Sequence, residues 1–257
     1  MAKPSKNRER AARIEALRRE SKRAERRRTL VVVVICGVVA LAIVGATAWK
    51  LISDKQRADE VAGTDLAAIG PDSDAAGCGD ITTAGAEDQG VHLEGQPIDY
   101  TEYGSTPPAF GAHWDSPADF GRKFYTEQDR PEIQRLVHNL EHGYTVLWYN
   151  EATAGDDEAV QTMQDLAEKF EVGDASDITD IETYNRGKFI AAPWTEEDGE
   201  FPADAKVVLV HWAFEGEDAV DGQGMGVWQP CDQPSGEALA SFMDEFPASN
   251  SPEPEGG

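Results

Sequence analysis

PEIQRLVHNLEHGYTVLWY, residues 131–149, passes from a helical to a strand period within one stretch. At 100° per residue, Ile133, Leu136, Val137 and Leu140 fall in one apolar stripe, which predicts an amphipathic helix over residues 131–142. Pro131 suits the first turn of that helix, and Gly143 suits its stop. Residues 144–149 then read as a strand of aromatic and β-branched side chains. Moving outward, residues 156–170 predict a second helix, with Val160, Met163, Leu166, Ala167 and Phe170 on one face. Residues 189–192 (FIAA) predict a short strand and residues 206–214 (KVVLVHWAF) a stronger one. Ser235 caps a last helix over residues 235–246. The order α-β-α-β-β-α predicts an α/β (α+β) sandwich with a small mixed sheet over residues 81–250.

Upstream, residues 30–49 (LVVVVICGVVALAIVGATAW) carry no charge over twenty positions. At about 1.5 Å per residue this run matches a hydrocarbon core of about 30 Å. Arg26, Arg27 and Arg28 abut it, so positive-inside bias predicts a cytoplasmic N-terminus and an extracytoplasmic C-terminal part. The expected organisation is a basic cytoplasmic tail (1–28), a transmembrane anchor (29–52), an acidic linker (53–80), the α/β domain (81–250) and a disordered tail (251–257). Ala46-Thr47-Ala48 also allows a cleaved signal peptide, but the full spanning length favours a retained anchor. Either way the domain is expected outside the cytoplasm, with the cell membrane as its first partner.

Charge divides at the same boundary. Residues 1–28 hold 12 basic and 4 acidic side chains, net +8, whereas residues 29–257 hold 11 basic and 44 acidic ones, net −33. A segment that acidic repels phosphate, which excludes nucleic acid as its partner. The basic tail suits anionic headgroups, at about 1 kcal/mol per basic residue. Cys36 lies inside the apolar run, which leaves Cys78 and Cys231 as a single pair predicted to form a disulfide. The chain has no C-x-x-C, phosphate-binding loop, G-x-S-x-G or dinucleotide fingerprint.

The five histidines carry the chemistry: His92, His113, His138, His142 and His211. His138 and His142 stand four apart on the predicted helix, so their imidazoles share one face, with Glu141 at its flank. That face lies nearly opposite the apolar stripe. It therefore either meets solvent or lines a cleft closed by another segment. The segment PPAFGAHW, residues 107–114, is the expected closing partner, because two prolines stiffen it and His113 is its only titratable group. A transition-metal site is expected from His113, His138 and His142, with His92, His211 or Glu141 as further candidates and Met225 as a soft one. Imidazole ligands suit copper or zinc. The competing reading is a set of hydrogen-bonded or solvated histidines near a helix C-terminus, where imidazolium is favoured.

VHNLEHG, residues 137–143, together with Tyr103 and the P-P-x-x-G-x-H segment ending at His113, resembles a bacterial domain-of-unknown-function family. The resemblance spans roughly residues 91–253. It departs from the family's P-P-x-[ST]-G-x-H pattern at Phe110, where Ser or Thr is usual, and at Ala112, where Pro is usual. It implies an N-terminal transmembrane tether and no established activity, substrate or cofactor.

Three functions compete. The first is a single-pass, membrane-anchored extracytoplasmic protein with a His-rich copper or zinc site. The second is a non-enzymatic module that docks an envelope protein, with Trp114, Trp194, Trp212 and Trp228 as candidate contacts. The third is a zinc hydrolase, because His138, Glu141 and His142 match H-x-x-E-H with Glu141 as general base. That reading needs a third ligand, for which only Glu215 and Glu217 offer themselves downstream. The sequence favours a non-catalytic role.

Overall fold

The computed structural model describes residues 6–86, 90–100, 106–173 and 175–256. The chain divides into two units, Met1–Arg57 and Ala58–Gly257. The first is dominated by helix α1 (Lys6–Gly63). Its apolar stretch is covered by nothing: Leu30, Leu41, Val44 and Trp49 are all exposed. Among the described residues this is the one helix long and apolar enough to cross a membrane. Glu15–Arg19 and Lys50–Asp54 pair along it at i,i+4.

The second unit is a five-stranded mixed sheet with helices on both faces. Its strands are β1 (Thr82–Gly85), β2 (Thr145–Tyr149), β3 (Phe189–Pro193), β4 (Val207–Ala213) and β5 (Met225–Cys231), in the order β1-β5-β4-β2-β3. β2 and β3 run parallel, with Val146 opposite Ile190, and the other pairs are antiparallel. The connection from β2 to β3 carries α3 (Glu151–Ala154), α4 (Asp157–Glu168) and α5 (Ile181–Arg186), a crossover of the length that a parallel pair requires.

Side-chain alternation divides the core. Val146, Trp148, Ile190, Val210 and Trp212 point to one face, where α2 (Ile133–Glu141) presents Leu136, Val137 and Leu140. Leu147, Tyr149, Phe189, Leu209 and Val227 point to the other. There α4 contributes Met163 and Leu166, and α6 (Gly236–Glu245) contributes Leu239 and Phe242. Strands β2, β3 and β4 are buried on both faces, which is why they read as continuous apolar runs.

The predicted helices and strands are present, and the structure adds β1, β5, α3 and α5. The terminal assignments differ. Within the stretch expected as a linker, Val61, Ile69 and Ala76 are buried. The backbone there pairs with the start of α6 and the end of β5, through Gly236 N to Ile69 O, Gly79 N to Pro230 O and Asp232 N to Ala76 O. Cys78 and Cys231 form the expected disulfide, and Cys36 is free. Residues 251–256, expected as a disordered tail, also pack: Ser251 is buried and Glu253 N donates to Glu141 O at 2.9 Å. A polar composition concealed both segments, because what holds them is backbone hydrogen bonding.

Candidate functional site

From Leu136 onward helix α2 is buried all round. Its apolar stripe faces the sheet, yet His138, Glu141 and His142 on the other side are only 5%, 4% and 6% exposed. Two segments cover them. The first comprises residues 91–100 and 106–118, where His92 and His113 form a parallel bridge with Leu93 N donating to His113 O and His113 N to Val91 O. Asn139, at the centre of H-N-L-E-H-G, fastens this segment: its Oδ1 accepts from Ala118 N at 2.9 Å and its Nδ2 donates to Ala118 O at 3.3 Å. The second cover is the C-terminal segment. Lys188 Nζ donates to His142 O at 2.7 Å and to Pro254 O at 2.6 Å. Gly256 lies so close to the His142 ring that a Cβ there would stand 2.2 Å from its Nδ1.

Four imidazoles thus collect around one carboxylate. The ring centroids are 4.8 Å apart for His92–His113, 4.9 Å for His113–His138, 5.3 Å for the stacked His92–His138 pair and 4.6 Å for His138–His142. Glu141 Oε2 lies 3.0 Å from His113 Nε2 and 3.9 Å from His92 Nε2. The outward nitrogens are all spoken for: Nδ1 of His113 faces Gly111 O at 2.9 Å, Nδ1 of His138 faces Trp114 O, and Nδ1 of His142 faces Glu253 O at 3.2 Å. A carbonyl only accepts, so each Nδ1 must donate, and in a neutral ring each Nε2 is then a bare lone pair. Those Nε2 atoms turn inward. His138 Nε2 and His142 Nε2 are 2.7 Å apart, and buried His113 Nε2 has no aligned hydrogen-bond partner.

Burial disfavours the charged form of His138 and His142. Burial, joined by the charges of His142 and His113, pushes His138 down to about 4 against the pull of its Trp114 bond. Burial also lowers His142, against the opposing pull of Glu253 and Glu141. Burial alone would raise Glu141, but the His113 ring and the neighbouring imidazoles outweigh it and hold the carboxyl below its ordinary range. The Nδ1–carbonyl contacts thus turn Nε2 of His113, His138 and His142 toward the interior, beside the Glu141 carboxylate. Two groups of metal-ligand atoms, each within 4.8 Å, result: His92, His113 and His138, and His138, Glu141 and His142.

The remaining candidates lie elsewhere. His211 is fully buried on β4, but the pleat turns it to the face opposite Trp212, the residue that touches His113. Its Nδ1 and Nε2 are held by Tyr144 O and Asn250 O at 3.1 and 3.0 Å. Met225 packs in the core of that same opposite face, against Gly216. Glu215 and Glu217 are exposed beyond the end of β4. The third group beside the H-x-x-E-H pair is thus His113 from upstream rather than a downstream carboxylate. Trp194, Trp212 and Trp228 are core residues, and Trp114 is half-buried. Tyr103 lies outside the described residues. Asn139 was missed as a positioning residue. Its signal was an amide in mid-helix, where it has no use unless it bonds across to another segment.

No curated protein and no solved structure matches the chain. Residues 92–257 match DUF3105, a protein family of unknown function, and this span holds the cluster and both of its covers. On that match the chain belongs to the DUF3105 family.

Proposed function

We propose that this is a membrane-anchored extracytoplasmic protein that holds a copper or zinc ion through Nε2 of His113, His138 and His142 with the Glu141 carboxylate. The observation that carries the reading is one pocket in which His138 Nε2 lies 2.7 Å from His142 Nε2 and His113 Nε2 lies 3.0 Å from Glu141 Oε2, with Nδ1 of all three rings facing backbone carbonyls. This is the outer-sphere arrangement that fixes the tautomer of a metal-bound histidine. A shared proton is a poor alternative for His138 and His142. With both Nδ1 atoms donating, it would require an imidazolium in a pocket whose burial disfavours one. Two nitrogens on one tetrahedral ion stand about 3.3 Å apart, so a bound ion needs only a small opening of the present 2.7 Å separation. Three imidazoles and one carboxylate suit copper or zinc.

The tether and the disulfide support an extracytoplasmic address, with Arg26–Arg28 on the cytoplasmic side. The burial of three of the four candidate tryptophan contacts argues against a plain docking module. The test is metal analysis of the full chain in detergent micelles, beside His138→Ala. The wild type is expected to carry about one equivalent of zinc or copper through a desalting column, and the variant to lose it. Absence of any retained metal in the wild type ends the reading.

A further inference from the structure

The two groups of ligand atoms share His138 and differ in depth. His142 lies at the inner end, closed off by Gly256 and by the Glu253 and Pro254 carbonyls that His142 and Lys188 engage. His92 lies at the other end and is exposed, the only one of the four clustered imidazoles that is. Its ring stacks on His138 with planes 8° apart. One edge, Nδ1, faces exposed Asp115 at 3.6 Å, and the other, Nε2, faces Glu141 at 3.9 Å. His92 thus stands at the mouth with a carboxylate on each side, one in solvent and one in the site. Glu141 reaches both groups, because the Oε2 that approaches His92 also approaches His113.

We propose that His92 is an exchange ligand. This rests on the metal reading above and adds a direction to it. A transition-metal ion first binds at the mouth through His92, His113 and His138. It then moves inward, exchanging His92 for His142 and Glu141 while His113 and His138 stay bound, and it leaves by the reverse route. His138 stays bound throughout, so the ion is never stripped of all its protein ligands. A ligand that serves only during transfer marks the site as one that hands its ion on rather than one that keeps it for structural reasons.

The experiment uses the full chain in detergent micelles with Co²⁺ as a coloured probe. Association is followed by stopped flow, release is driven by a chelator, and both are compared with His92→Ala. An exchange ligand lowers the barrier equally in both directions. The variant is therefore expected to bind and release Co²⁺ about tenfold more slowly, with its dissociation constant changed by less than about threefold and its final visible spectrum unchanged. Added imidazole is expected to restore both rates, which a merely structural defect would not allow. His92→Gln provides a second variant of similar bulk. If release becomes faster and affinity falls, His92 is a resident ligand and the proposal is overturned while the metal reading stands. Unchanged rates overturn it in the same way. If the wild type itself takes up no Co²⁺, both fail together.

Discussion

Gly143 ends α2 with φ at +88°, a conformation that a side chain resists. A Cβ at this position would meet Ala248 O at 2.2 Å and Ser251 Oγ at 2.9 Å, so the residue is glycine for two independent reasons. The same close approach brings the C-terminal segment over His142. Gly143→Ala is therefore expected to cost about 2–3 kcal/mol from backbone strain and displaced chain, read from the denaturation midpoint in micelles. An unchanged midpoint would show that the segment is not pinned there. The residue scale is also where the site was half legible. The spacing of four between His138 and His142 shows one shared face, and His113 could be named as the group that meets it. The carbonyls of Gly111, Trp114 and Glu253, which decide the tautomers, leave no trace in residue identity. Along 206–214 His211 falls in phase with Leu209 rather than with Trp212, and a continuous apolar run gives no sign of which phase faces the cluster.

At the scale of elements, the helices and strands with a clean period were legible, and those without one were not. β5 contains Gly226 and Pro230, both of which speak against a strand. Gly226 is needed because a Cβ there would strike the rings of Trp228 and Phe110. Pro230 is tolerated because β1 pairs only with residues 225–228 of β5, leaving it beyond the last β1 partner. β1 is four residues of Thr, Ala and Gly, too short and too small to carry a signal. Since β1 is an edge strand, its attachment leans on the Cys78–Cys231 link just ahead of it, which closes a separation of 153 residues. In the chain-entropy account a loop of that size stabilises by about 5 kcal/mol. Replacing both cysteines by serine is expected to lower unfolding free energy by an amount of that order. A loss below about 1 kcal/mol would mean that backbone pairing alone holds the segment.

The molecule as a whole buries two lysines with little compensation in charge, and this shapes its response to pH. Lys123 is 3% exposed, with its ammonium donating to Phe120 O and Gly187 O and lying 3.9 Å from the Phe120 ring centre. Burial lowers it to about 8, against the pull of Glu171 and Asp119, and burial likewise lowers Lys188 to about 8. In the unfolded chain both take protons up to the ordinary lysine value of about 10.4, so between about pH 8 and that value the unfolded state binds more protons. Stability must therefore rise with pH across that window. The cost of keeping Lys123 charged, about 3 kcal/mol, is fully present below the folded value and fades above it. Tyrosines act in the opposite sense. Burial raises Tyr125 to about 12 and raises Tyr144 and Tyr149 further, so above about pH 10 the folded state keeps phenolic protons that the unfolded chain sheds, and stability falls. The expected curve climbs from pH 7.5, turns near about pH 9–10 and then declines. Lys123→Met leaves two carbonyls unpaired and shifts the whole curve, so its absolute stability decides nothing; its slope does. Denaturation midpoints at pH 7.5, 8.5 and 9.5 are expected to rise more steeply in the wild type than in Lys123→Met. Equal slopes would mean that the Lys123 ammonium is as well solvated in its carbonyl cage as in water.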